Sequence, residues 1–179
     1  ARPLDVEVSC AQPNGWTFEK TVTEAEPDVT LVRIRLCRSA KAEPPVFRVT
    51  WTVPQIDVAH VWTPRADRAT VPPDWSQPFV SGIARGMPLM ALINGTDGNR
   101  LAFGCSETTR TLRFHAGLNE ETCTFRCFAE FFTAPEAPLA DYEAEIRLDG
   151  RRISWSEAVS STAAWMSSGD RRPCVPPPI

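Results

Sequence analysis

Asp57, Asp67 and Asp74 fall between Trp51 and Trp75, in a stretch that also holds Trp62 and His60 and half of the chain's six tryptophans. Aromatic rings beside carboxylates are the side chains a sugar site needs. The ring stacks on the apolar face of a pyranose, and the carboxylate accepts from its hydroxyls. Two carboxylates about 5–10 Å apart would also suffice for glycoside hydrolysis. The same aspartates fit a plainer role as turn initiators, and Asp74 follows Pro72-Pro73 as a turn residue would. Turn formation, substrate contact and acid catalysis thus remain three readings of one pattern. The candidate binding residues are Trp62, Asp74, Trp75, Asp57 and His60, with none assigned a catalytic role.

Other chemistries fail on inventory. The only histidines are His60 and His115, and neither sits in a nucleophile-elbow or Cys/His context. His115, beside Phe114, reads as a structural or surface residue. No phosphate-cradling glycine loop is present, so no nucleotide cofactor is implied. Glu120-Glu121 reads as a solvated hairpin tip. Of six cysteines, Cys123 and Cys127 form C-x3-C, but they sit in an alternating run. Four residues of strand span about 13 Å, too far for a disulfide or a shared metal. Cys10, Cys37, Cys105 and Cys174 lack ligand-like spacing, so no metal is expected. Buried reduced thiols are the expectation, which favours a cytoplasmic over a periplasmic or secreted setting without fixing it.

A net charge of −3 with signs interspersed offers no footprint for nucleic acid. No apolar run approaches the roughly 18 residues that cross a bilayer, so no membrane partner is expected. At 179 residues the chain fits one domain with a sizeable core.

The elements that must position these residues are mostly strands. In 45–53, Phe47, Val49, Trp51 and Val53 face one way while Arg48, Thr50 and Thr52 face the other, the period of a half-buried strand. Similar runs occupy 4–10, 16–22, 28–38, 79–84, 88–93, 100–106, 110–116, 123–132 and 142–148. Asn94-Gly95 with Asp97-Gly98 is a strong hairpin signal, 117–122 reads as a polar link, and Asp149-Gly150 reads as a turn. Roughly ten short strands with turn chemistry between them predict an all-β, antiparallel β-sandwich of supersandwich-like type. The stretch 54–78 reads as an insertion, its part from Asp57 to Trp75 a loop. Ser154 and Glu157 match a capping box, and Trp155, Ala158, Val159, Thr162, Trp165 and Met166 follow at helical spacing, ending near Gly169. The expected organisation is a sandwich over 1–153, a connector helix over 154–168 and a Pro-rich linker over 169–179.

Several segments, in order, carry a resemblance: WTVPQIDVAHVWTP, VPPDWS, the NG-T-DG-NRLAFGCSE hairpin, HAGLNEET and DYEAEIRLDGRRISWSEAVSSTAAWM. From about Arg48 to Trp165 the chain resembles the N-terminal β-sandwich domain of bacterial α-galactosidases (melibiases) of glycoside hydrolase family 36 and its relatives. The resemblance implies a downstream (β/α)8 barrel as partner, holding both catalytic aspartates, one of them in a Lys-x-Asp motif. Only Lys20 and Lys41 occur here, and neither is followed two positions on by Asp. The expected function is therefore a non-catalytic domain that supports the barrel, with Trp62, Asp74 and Trp75 as candidates for a loop at the barrel pocket or for its domain interface. A galactoside or oligosaccharide contact and a homo-oligomer are compatible with it. The alternatives are a free-standing carbohydrate-binding module or lectin, with Trp62 and Trp75 as a stacking platform, and a purely structural interaction domain.

Overall fold

A computed structural model describes residues 5–10, 16–38, 46–54, 58–64, 79–81, 88–106, 112–119, 121–131 and 142–168. The described residues form eleven strands and one helix: β1 (Val6–Cys10), β2 (Trp16–Glu26), β3 (Val29–Arg38), β4 (Phe47–Pro54), β5 (His60–Trp62), β6 (Phe79–Ser81), β7 (Leu89–Asn94), β8 (Gly98–Cys105), β9 (Leu112–Asn119), β10 (Thr124–Phe131), β11 (Tyr142–Asp149) and α1 (Trp155–Ser167). They form two antiparallel sheets, β1-β4-β10-β9-β6 and β2-β3-β11-β8-β7-β5. The protein is an antiparallel β-sandwich with one C-terminal helix, as the alternation predicts.

Among the described strands three hairpins join sequence neighbours, and the turn at Asn94-Gly95 is the one that the sequence signals. Gly95 has φ 61° between β7 and β8, and Asp28 has φ 64° after Pro27 between β2 and β3. Proline fixes the first central residue and a left-handed second one closes the turn. Elsewhere the chain crosses from sheet to sheet, so β4 meets β1 and β10 and β11 meets β3 and β8.

Period-two alternation delivers one face of each sheet to a common core. Phe47, Val49, Trp51 and Val53 of β4 and Phe125, Cys127, Ala129 and Phe131 of β10 meet Val32, Ile34, Leu101, Phe103, Cys105, Ile146 and Leu148 of the other sheet. The aromatic contacts interlock the layers. Phe103 lies edge-on to both Trp51, at 5.0 Å, and Phe114, at 5.4 Å, and both of those rings come from the opposite sheet. Burying such a side chain stabilises the fold by roughly 1.5–3 kcal/mol.

The second sheet has a covered outer face. There Ala91 and Ala102 form a small apolar cluster with Ala158 of α1, edged by Trp62, Ile153 and Val159. Small residues let the helix axis approach closely, most of all at Gly104. A Cβ at that position would lie 2.7 Å from Met166 Sδ and 2.8 Å from Thr162 Cγ2. Ser154 caps α1 by accepting from the Glu157 amide at 3.3 Å, as the capping signature implies. The stop falls at Ser168, beside the expected Gly169.

Local expectations differ from the structure in four places. The insertion after β4 contains a strand, β5, paired with β7. Strand β9 continues through Asn119, so the polar link is shorter than the sequence suggests. Cys123 does not join the buried row of β10: it has φ 50° and is exposed, whereas Cys105 and Cys127 are buried. Asp149 ends β11 fully buried rather than serving only as a turn residue.

Candidate functional site

The site begins with β5. Ala59 donates to the Ile93 carbonyl at 2.8 Å, which brings the chain alongside β7. In the pairing that follows, His60 lies opposite Ile93, Val61 opposite Leu92 and Trp62 opposite Ala91. Alternation sends Val61 into the core, where it is fully buried, and places His60 and Trp62 on the outer face beside α1. His60 Nδ1 lies 3.4 Å from the Gly95 carbonyl, a contact that suits the Nδ1–H tautomer.

Trp62 meets Trp155, the first residue of α1, with ring centroids 5.6 Å apart and planes inclined by 41°. Both indoles are half-buried. The helix start is fixed at this corner by backbone bonds, Trp155 N–H to the Asp97 carbonyl at 2.8 Å and Asn99 N–H to the Ile153 carbonyl at 2.9 Å. The Asn99 side-chain amide donates to the carbonyls of Asp149, at 2.9 Å, and Arg151, at 3.0 Å. The turn between β7 and β8 and the segment before α1 are therefore one hydrogen-bonded unit, with the two tryptophans closing its edge.

Of the five sequence-predicted site residues, the structure brings His60 and Trp62 together on β5. Asp57, Asp74 and Trp75 lie outside the described residues. Sequence reasoning assigned Trp155 only to the packing face of a helix and missed its pairing with Trp62. The pairing depends on how α1 crosses the sheet, which helical spacing does not encode.

A second cluster was also missed. Asp149, with no solvent exposure, accepts from Arg147 Nη1 at 2.9 Å and from Arg151 Nη2 at 2.6 Å, and Arg147 also donates to Thr162 Oγ1 of α1 at 2.6 Å. Burial alone would raise the Asp149 carboxyl, but the Arg151 hydrogen bonds and the charges of Arg147 and Arg151 outweigh it and hold the carboxyl below its ordinary range. The signal for this cluster was RLDGR itself, three charges at alternate positions on a strand end.

Three further carboxylates of the described residues are held by arginines. Glu130 is held by Arg48, whose guanidinium also lies 4.0 Å from the centroid of the Phe128 ring. Glu143 and Glu145 share Arg33, at 3.1 and 3.3 Å. Among the described residues no group of His, Cys, Asp and Glu could hold a metal ion, and no helix is long and apolar enough to cross a membrane.

The fold and this corner define a class, a β-sandwich domain with a helix docked on one outer face and an aromatic clasp at the helix start. No protein-family model matches the chain, and no curated protein matches it.

Proposed function

We propose that the chain is a non-catalytic N-terminal β-sandwich domain of an α-galactosidase-like glycoside hydrolase, supporting a downstream barrel. One observation carries this reading. Within the longest segment of the resemblance, residues 142–166 fold as one unit in which β11, the buried Asp149 cluster and α1 lock together on the outer sheet face. A chain that needed this segment only as a tether would have no use for a buried ion network within it. The engagement of Glu130, Glu143, Glu145 and Asp149 with arginines also favours an accessory role, because a retaining pair must face substrate across a cleft.

The test compares the 179-residue chain with the protein encoded by its complete reading frame on an aryl α-galactoside. The expected outcome is no hydrolysis by the chain alone and hydrolysis by the complete protein. A reading frame with no barrel after Ile179 would sink the proposal. A lectin function is less favoured because Trp62 spends one face on Trp155, and two indoles inclined by 41° do not make the flat platform a sugar ring stacks on.

A further inference from the structure

Strand β2 ends the six-stranded sheet, and β3 is its one neighbour among the described residues. Residues 17–26 are exposed on both faces of this strand. Phe18 and Val22, at 40% and 37% exposure, are two of the exposed large hydrophobics. Val22 lies opposite Val32 and Lys20 opposite Ile34 on β3, so Lys20, Val22 and Glu24 share the face turned toward the core side. A long edge that no described strand pairs with on its outer side is a template for another strand.

We propose that β2 pairs antiparallel with β2 of a second copy of this chain, across a two-fold axis at Val22. In such a pair, facing residues point to the same side, and the sequence favours one centre. Centring at Lys20 would oppose two lysines. Centring at Thr21 would set Lys20 against Val22 and leave Glu24 opposite Phe18, so neither charge finds its opposite. Centring at Thr23 would set Val22 against Glu24 and Lys20 against Glu26, across the bulge between Glu24 and Glu26. Centring at Val22 sets Val22 against Val22, Thr21 against Thr23, and Lys20 against Glu24 twice, once on each side of the axis, with Phe18 opposite Glu26 only at the outer end of the pairing beyond the bulge.

This arrangement is self-complementary, as an isologous interface requires. Lys20 already donates to the Val6 carbonyl at 2.8 Å, and its ammonium has two further protons for a carboxylate. An inward lysine guards an edge against most strands. A lysine that finds a glutamate in one register selects that register. The inference is independent of the proposed function, because it rests on β2, its pairing with β3 and the Lys20 bond to Val6 of β1.

The test is a charge-swap cycle on the 179-residue chain, read by sedimentation velocity with circular dichroism as the check on folding. The wild type is expected to dimerise. Lys20→Glu and Glu24→Lys should each weaken dimerisation by about tenfold or more, because each places two like-charge pairs across the axis. The double variant K20E/E24K should restore it. Should Lys20→Glu disturb the fold through its lost bond to Val6, Glu24→Gln carries the test: it keeps Lys20 and an acceptor for the Asp28 amide, removes only the charge, and should still weaken dimerisation. A monomeric wild type at every concentration, a dimer indifferent to the single changes, or a double variant that stays monomeric would each overturn the proposal.

Discussion

Trp62 on a three-residue edge strand and Trp155 at the first turn of the only described helix lie with ring centroids 5.6 Å apart, so the shortest strand of the second sheet and the helix that covers it are closed by one aromatic contact. The small residues Ala91 and Ala102 beneath them leave the two indoles as the bulk of the corner. Replacing either tryptophan by alanine should lower unfolding stability by about 1–3 kcal/mol, less than for a fully buried aromatic. The coupling energy between the two should be about 0.5–1.5 kcal/mol in a double-mutant cycle measured by urea denaturation. Strictly additive losses would mean that the rings touch without stabilising each other.

Gly104 should tolerate no side chain. Its absent Cβ is what lets Met166 and Thr162 approach β8, at 2.7 and 2.8 Å from where that atom would lie. Gly104→Ala is expected to cost about 1–3 kcal/mol through overpacking. Met166 has a flexible end and a threonine methyl does not, so Thr162→Ser should recover part of that loss despite its own small cost. A Gly104→Ala protein with wild-type thermal stability would show that α1 has room to move.

The Asp149 cluster predicts both a mutational and a pH effect. Asp149→Asn leaves Arg147 buried without its counter-charge, and the expected loss is about 3–5 kcal/mol. Because the folded-state carboxyl is held below its ordinary value, its contribution is fully present above the unfolded value of about 3.9 and is lost as pH falls through the folded value. Urea midpoints measured from neutral pH down to pH 3 should therefore fall more steeply for the wild type than for Asp149→Asn. Parallel curves would remove Asp149 from the acid sensitivity of the fold.

Cysteine reactivity should separate by position rather than by number. Cys123 sits exposed in the turn before β10, while Cys105 and Cys127 lie in the core and burial pushes the Cys127 thiol strongly upward. Brief alkylation of the native protein followed by peptide mapping should find Cys123 modified and the two core thiols protected until denaturant is added. Early modification of Cys127 would contradict the packing of β10 against β4.

Much of the framework was legible because two local rules suffice for it. Alternation in Phe47–Val53 and Phe125–Phe131 fixed which side chains would be buried. Asn94-Gly95 fixed a hairpin, and Ser154 with Glu157 fixed where α1 begins. Cys123 escaped the first rule because a left-handed residue at the hairpin end breaks the alternation one step before β10 starts. Strand β5 escaped it because three residues between irregular segments show no period, and β5 is defined by its bonds to β7 rather than by its own composition.

The sequence by itself determined that this protein is an antiparallel β-sandwich with a C-terminal helix, since period and turn chemistry are properties of neighbouring residues. Only the tertiary structure decided which sheet each strand joins, that Trp62 meets Trp155, and that Asp149 lies buried between two arginines. Alternation tells a strand which face to bury but not which partner to bury it against. That choice depends on contacts between residues far apart in the chain, and on small side chains such as Gly104 whose value appears only when another element lies across them.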